Sequence, residues 1–366
     1  MTSLNPHEVT PGFATHPGEI LKDELDAREI SQSDFAKTIG LQKSQLNEII
    51  NGKRGLNAEL ALTLESALGV EAAFWINAQK NYELDSARIE KKNQYRLEAI
   101  ALVNMVSDSI PYGYLKKQAV LSGDPVEDVP KIKALYNVTA LDEVATQSAR
   151  FARYRQSQKF ATDQVNLLGW SKLVEYKAKA LQVNKFDHNK QSALLEELRE
   201  IITRNKKTLA KTSACLHDYG IKIVFQEKAS KTPVDGMCFW SEGRPAIAMT
   251  LRYKRLDNFA FTLFHELGHI YLHLLNDNTA QFLDIQGEEL QKKSRQLEEK
   301  QADDFATDHL IPKKEWTVFF EAGHFAEPAV KRFAKQVQIH PAVVLGRLSH
   351  EQGFYARKTK LMVDVT

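Results

Sequence analysis

Two histidines four residues apart, with a glutamate after the first, are the sharpest chemical feature of this 366-residue chain: His265-Glu-Leu-Gly-His269. In an α-helix, residues four apart stand one turn above each other, about 40° apart around the axis. Both imidazoles therefore leave one face at a spacing that can grip a single Zn2+. Glu266, next in angle, can reach a metal-held water and serve as general base. Zinc that hydrolyses needs three protein ligands and an open fourth position. The third is sought in Glu298-Glu-Lys-Gln-Ala-Asp-Asp-Phe-Ala306. Glu299 and Asp303 share a helix face, so one can bind metal while the other accepts the second N–H of a ligand histidine and fixes its tautomer. Glu299 is read as the ligand and Asp303 as the group behind the histidine; Glu298 and Asp304, about 100° around the helix, are the shifted alternatives. His273 continues the stripe, about 12 Å along the axis from His265, and is read as a polar residue near the helix end. His309 follows close after the third-ligand stretch, where it could steady an oxyanion.

The flanking residues say which elements must carry these groups. Phe261, Leu263, Phe264, Leu267, Ile270, Tyr271 and Leu274 predict a buried helix from about Asp257 to about Leu275. Gly268 costs such a helix about 1 kcal/mol relative to Ala, so a residue that small predicts close approach by another segment. Ahead of it, apolar runs at 221–225, 236–240 and 246–249, separated by Pro/Gly/Ser turns, predict three short strands. Residues 276–290 read as a polar loop, 291–310 as a charged helix stopped by Pro312, and 328–352 as helical again, closing the chain with a short helical hairpin.

Phe261-Thr-Leu-Phe-His-Glu-Leu-Gly-His-Ile-Tyr-Leu-His273, together with Glu299-Lys-Gln-Ala-Asp-Asp-Phe-Ala-Thr-Asp-His-Leu-Ile-Pro312, resembles the ImmA/IrrE family of metallopeptidases. The resemblance covers about 215–350. It implies a small zincin-like fold and a zinc hydrolase site, with His265, His269 and Glu299 as ligands and Glu266 as base, and with strand 245–249 as an edge that could pair with an extended peptide, as zincin edge strands do. Many relatives read Glu-x-Glu-Ala-Asn where this chain has Glu299-Lys-Gln301-Ala-Asp303. Asp in place of Asn at 303 makes the group behind the histidine anionic, which raises imidazole basicity.

The N-terminal quarter has a different character. Ser31-Gln-Ser-Asp-Phe-Ala-Lys-Thr-Ile-Gly40 reads as a short helix capped by Ser31 and ended by Gly40. Lys43-Ser-Gln-Leu-Asn-Glu-Ile-Ile-Asn51 reads as a second helix closed by Gly52, and Ala36 is small enough to let the two cross closely. That is helix-turn-helix anatomy. Gln42, Lys43, Ser44, Gln45 and Asn47 face outward, where Gln and Asn can read adenine edges. Gln32, Lys53 and Arg54 are placed for phosphates. Residues 16–54 hold seven acids and six bases, so local charge alone does not argue for DNA. With His16-Pro-Gly-Glu-Ile-Leu21, Ile50-Asn-Gly-Lys-Arg54 and Leu68-Gly-Val-Glu-Ala-Ala-Phe-Trp75, the segment resembles the HigA-like branch of the XRE helix-turn-helix regulators. That resemblance implies a homodimer on double-stranded operator DNA.

The reading is therefore an α+β chain with three parts: an all-α helix-turn-helix domain at 1–90, a helical connector at 91–214, and a zincin-like domain at 215–366. The connector's basic cluster Arg150, Arg153 and Arg155 reads as a solvated helix face. Forty-nine Lys+Arg against 47 Asp+Glu give a net charge of +2, which excludes an overall basic nucleic-acid coat. Two cysteines exclude a disulfide scaffold. There is no apolar run near the ~20 residues of a membrane span and no cationic or apolar leader, so a soluble cytoplasmic protein without a membrane partner is expected. Two functions fit. One is a zinc peptidase acting on a repressor protein or on itself, in a stress or toxin-antitoxin type response. The other is an antitoxin and autorepressor that binds a cognate toxin and whose zincin half cleaves nothing.

Overall fold

A computed structural model describes residues 12–154, 163–277, 280–285, 293–353 and 359–366. Arg155 and the side chains of 152–154 lie outside the described residues, so the basic cluster there has no structural account. The chain divides into two compact units, residues 1–103 and 104–366.

The first unit is built from α1 (Pro17–Ala27), α2 (Gln32–Thr38), α3 (Lys43–Ile50), α4 (Ala58–Leu68) and α5 (Ala72–Ile89), with α6 (Lys91–Val106) leading onward. Ser31 accepts the Asp34 N–H at 3.1 Å and starts α2. Gly40 and Gly52 take φ of 69°, the left-handed conformation that ends α2 and α3 without a Cβ clash. Leu21, Phe35, Ala36, Leu46, Ile49, Leu64 and Trp75 form one buried core. The small Ala36 is buried within this core.

The second unit begins with α7 (Tyr112–Lys117), α8 (Pro125–Tyr136), α9 (Asp142–Tyr154), α10 (Gln164–Ala180), a 3-10 turn (His188–Lys190), α11 (Gln191–Arg204) and α12 (Thr208–Asp218). The sheet follows: β1 (Lys222–Phe225), β2 (Val234–Ser241), β3 (Arg244–Met249) and, later in the chain, β4 (Phe282–Ile285). Its order is β1-β3-β2-β4, with β1 parallel to β3 and β2 antiparallel to both neighbours. The remaining elements are α13 (Leu256–His269), running into a π-helical turn (Ile270–Leu274), then α14 (Lys293–Leu310), α15 (Lys313–Glu321), α16 (Glu327–Gln336) and α17 (Pro341–Glu351).

The three predicted strands are continuously apolar because both faces of the sheet are covered. Val224, Met237, Phe239, Ala246 and Ala248 meet Leu167, Trp170 and Val174 of α10 on one face. Ile223, Cys238, Ile247 and Met249 meet Phe259, Leu263, Phe264 and Leu267 of α13 on the other. A segment read as connector thus supplies one wall of the sheet's core. Two expectations need correction. Strand 244–249 is not an edge: β3 is hydrogen-bonded to β1 on one side and β2 on the other. The polar stretch 276–290 contains a strand, β4, which takes the edge beside β2 through Val234↔Ile285, Gly236↔Asp284 and Cys238↔Phe282, with a bulge between Val234 and Gly236.

Candidate metal centre and helix-turn-helix unit

Helix α13 is buried on nearly every side, and His265, Glu266 and His269 are all buried within it. Helix α14 packs across it at Gly268: a Cβ there would lie 3.0 Å from Ala302 Cα. The close approach predicted from Gly268 is therefore α14 itself, and it brings Glu299 to the histidines. His265 Nε2 and His269 Nε2 are 3.0 Å apart, and Glu299 Oε2 lies 3.3 Å from the first and 3.4 Å from the second. Glu298 and Asp304 do not enter this cluster among the described residues.

Donors about 2.1 Å from a tetrahedral zinc lie about 3.4 Å from one another, so these three atoms fit such an ion. Burial works against charge on His265, yet Asp303 and Glu299 hold its pKa well above the ordinary value. Burial pushes His269 down to about 4. Burial would raise Glu299, but hydrogen bonds from the two imidazoles bring it to about 2.

Behind the donors, Asp303 Oδ1 is 2.9 Å from His265 Nδ1. Glu266 is 0% exposed, its carboxylate oxygens meet no N–H or O–H donor among the described residues, and the buried Cys238 thiol of β2 is the group beside them. Burial raises its pKa well above the usual carboxylate range. A buried carboxylate with only a weakly donating thiol beside it is costly in a fold that has no use for it. Asp284 of β4 stands near, pushed up to about 6 by burial.

Two participants, Phe282 and Gln301, carry no role in the sequence reading, and His273, read as a polar residue near the helix end, stands against a candidate ligand. Phe282 of β4 stacks on His269 with centroids 4.4 Å apart. His273 Nδ1 is 3.1 Å from His269 Nδ1, and His273 Nε2 is 3.0 Å from Gln301 Oε1. The signal for His273 is its place four residues beyond His269 on one stripe. His309, by contrast, is tied to its own helix, its Nδ1 2.8 Å from the Phe305 carbonyl. Beside His265, Glu299 and Asp303 opens a cavity of about 730 Å3, with Phe261, Leu310 and Val343 among its lining residues.

In the first unit, Gln42, Lys43, Ser44, Asn47, Lys53 and Arg54 are exposed, whereas Gln32 and Gln45 are half-buried. Gln45 Oε1 accepts the Gln42 N–H at 3.1 Å, capping α3. Asn47 is engaged too, its Oδ1 accepting from Asn51 Nδ2 at 2.7 Å. The Lys53 and Arg54 N–H groups both reach the Glu48 carbonyl, at 2.8 and 3.2 Å, which fixes where the two cationic side chains leave the backbone. No helix among the described residues is long and apolar enough to cross a membrane.

Comparison with known proteins agrees with this division. Residues 21–75 match a helix-turn-helix family, and residues 217–349 match the IrrE N-terminal-like domain. The chain is 38% identical over 81 residues to Virulence-associated protein I of Dichelobacter nodosus, which spans 22% of this chain and 75% of that protein. It is 35% identical over 83 residues to Antitoxin HigA-1 of Vibrio cholerae, spanning 22% of this chain and 74% of that one. Among solved structures, Pseudomonas aeruginosa antitoxin HigA with the higBA promoter is 34% identical, covering 23% of this chain and 94% of its own, with a TM-score of 0.22. The chain belongs to the XRE-type helix-turn-helix DNA-binding regulators with HigA-like antitoxin relatives, and it carries an IrrE N-terminal-like domain over residues 217–349.

Proposed function

We propose that the chain is an operator-binding regulator whose second unit is a zinc metallopeptidase acting on a regulatory protein. The observation that carries this is the convergence of His265 Nε2, His269 Nε2 and Glu299 Oε2 within 3.4 Å of one another, beside a fully buried Glu266 carboxylate that has only the Cys238 thiol next to it. His265, His269 and Glu299 would hold the ion. When bound, zinc supplies a water of lowered pKa and polarises a carbonyl. Glu266 takes the attacking water's proton on its carboxylate and delivers it to the leaving amine nitrogen. Asp303 keeps the His265 Nδ1 hydrogen in place, so that Nε2 presents a lone pair. The 730 Å3 cavity beside His265 gives an extended peptide room for side chains. The substrate is a repressor protein or this chain's own 90–125 segment.

The first unit docks α3 in the major groove as one half of a homodimer. Gln42, Lys43, Ser44, Gln45 and Asn47 face base edges, and Gln32, Lys53 and Arg54 face phosphates. A second reading, an antitoxin whose zincin half is structural, draws on the identity to HigA-1. A cognate toxin is then the partner.

Elemental analysis of untagged protein tests the metal: about one zinc per chain, lost in both His265→Ala and Glu299→Ala, is expected. Glu266→Gln then separates the two readings. Processing of the chain or of a partner regulator that stops in this variant supports the peptidase. Processing at the wild-type rate leaves the antitoxin.

A further inference from the structure

Both candidate ligand histidines are held from behind, and by chemically different partners. His265 Nδ1 meets the carboxylate of Asp303 at 2.9 Å. His269 Nδ1 meets another imidazole, His273 Nδ1, at 3.1 Å, and His273 Nε2 meets Gln301 Oε1 at 3.0 Å. His273 reaches this position from the π-helical turn Ile270–Leu274, where Leu275 N–H bonds back to Ile270 O at 3.3 Å. Such one-turn widenings interrupt the i→i−4 ladder and re-aim side chains.

The order of hydrogens along this chain follows from the end groups. A carbonyl oxygen only accepts, so the Gln301 amide oxygen requires a hydrogen on His273 Nε2. A neutral His273 then has a bare Nδ1, which accepts from His269 Nδ1–H. His269 Nε2 is thereby left with its lone pair, pointing at His265 Nε2 and Glu299 Oε2. Any other order puts a hydrogen on His269 Nε2, where a metal must bind. We propose that His273 and Gln301 are positioning residues of the metal centre, a neutral relay that fixes the His269 tautomer as Asp303 fixes that of His265. This rests on the metal reading above and assigns its outer side chains. Phe282, stacked on His269 at 4.4 Å and 5.4 Å from the His273 ring, holds the two planes from the β4 side.

The test is the zinc dissociation constant of the full-length chain, read by competition with a chromophoric chelator, for wild type, His273→Phe, Gln301→Lys and Gln301→Glu. Phe keeps the ring packing and removes the acceptor. Lys at the exposed position 301 offers only donors and leaves the fold alone. Glu keeps an acceptor. Affinity weaker by roughly 10- to 100-fold in His273→Phe, a loss in Gln301→Lys, and retention in Gln301→Glu are expected. Wild-type affinity in both His273→Phe and Gln301→Lys overturns the relay and spares the metal site. A wild-type chain that takes up no zinc overturns the two together.

Discussion

Gly236 of β2 lies directly over Glu266 of α13: a Cβ built at Gly236 would stand 2.1 Å from Glu266 Oε1. The carboxylate occupies the volume that any other residue on the strand would claim. Glu266 is thus confined between the sheet and its own helix, and the bulge between Val234 and Gly236 shapes the strand at this point. Gly236→Ala must displace either the strand or the carboxylate. Overpacking of this kind costs about 1–3 kcal/mol. The melting temperature of Gly236→Ala should fall, and adding Glu266→Ala should restore much of the loss, because the colliding group is gone. Additive losses in the double variant would mean that the contact is not the cause. If the peptidase reading holds, Gly236→Ala should also slow hydrolysis at least tenfold while retaining zinc, since general bases contribute about 10²–10⁴-fold.

Much of this centre is legible in the sequence because its parts are local. The His265–His269 spacing, the apolar stripe of α13 and the Glu299–Asp303 pair are each written within one or two helical turns. Gly268 announces a close neighbour, and the neighbour is Ala302. What stays hidden depends on pairing across the chain. Phe282-Leu-Asp-Ile285 is too short and too mixed to declare a strand, and only its ladder with β2 makes it one. The edge role that the resemblance implies for 245–249 fails because order in a sheet follows from which strand each residue meets, and β3 meets β1 on one side and β2 on the other. The His269–His273 contact joins residues four apart on one helix face, so its spacing is local, but Gln301 behind His273 comes from another helix.

Gly268 makes a second prediction. Ala there would regain about 1 kcal/mol of helix propensity, yet its Cβ would press on Ala302 Cα at 3.0 Å and its carbonyl oxygen at 3.2 Å. Those are backbone atoms, so α14 has to move, and α14 carries Glu299 and Asp303. Valine adds two methyl groups at the same contact and has no such compensation. Gly268→Val should therefore weaken zinc binding by roughly tenfold or more, the scale seen when support behind a ligand is removed, and should lower thermal stability. Wild-type zinc affinity in this variant would show that α14 is not registered on α13 through this contact.

The helix-turn-helix unit allows a prediction that separates positioning from reading. Lys53 and Arg54 are exposed and leave the backbone beside the end of α3. Removing a cation that neutralises one phosphate should flatten the dependence of log K on log salt by about 0.9. Lys53→Ala and Arg54→Ala should weaken operator and unrelated duplex alike, measured by titration at several salt concentrations. Gln42→Ala, at the entry to α3, should instead narrow the gap between operator and competitor, by about 1–3 kcal/mol if Gln42 makes a bidentate base contact. A salt slope untouched by both cationic substitutions would remove these residues from the interface.

The last prediction concerns Asp128, whose buried carboxylate organises the start of α8. It accepts from Tyr112 Oη, from the Ser122 N–H at 2.7 Å and from the Gly123 N–H at 2.9 Å. Burial opposes the charge, but these donors outweigh it and hold the pKa below the ordinary carboxyl value. Burial, with the carboxylate beside it, pushes Tyr112 up to about 12. A carboxyl whose pKa is lower folded than unfolded stabilises the native state above the unfolded value, near 4, and that contribution disappears as pH falls through the folded value. Asp128→Asn replaces one accepting oxygen by an NH2 group that faces donors. At pH 7 it should cost about 1–3 kcal/mol, read from urea unfolding of the full-length chain. As the pH is lowered below about 4, wild type should lose stability at this site and the gap should close. A gap of equal size at pH 7 and pH 3 would assign the loss to packing rather than to the charge on Asp128.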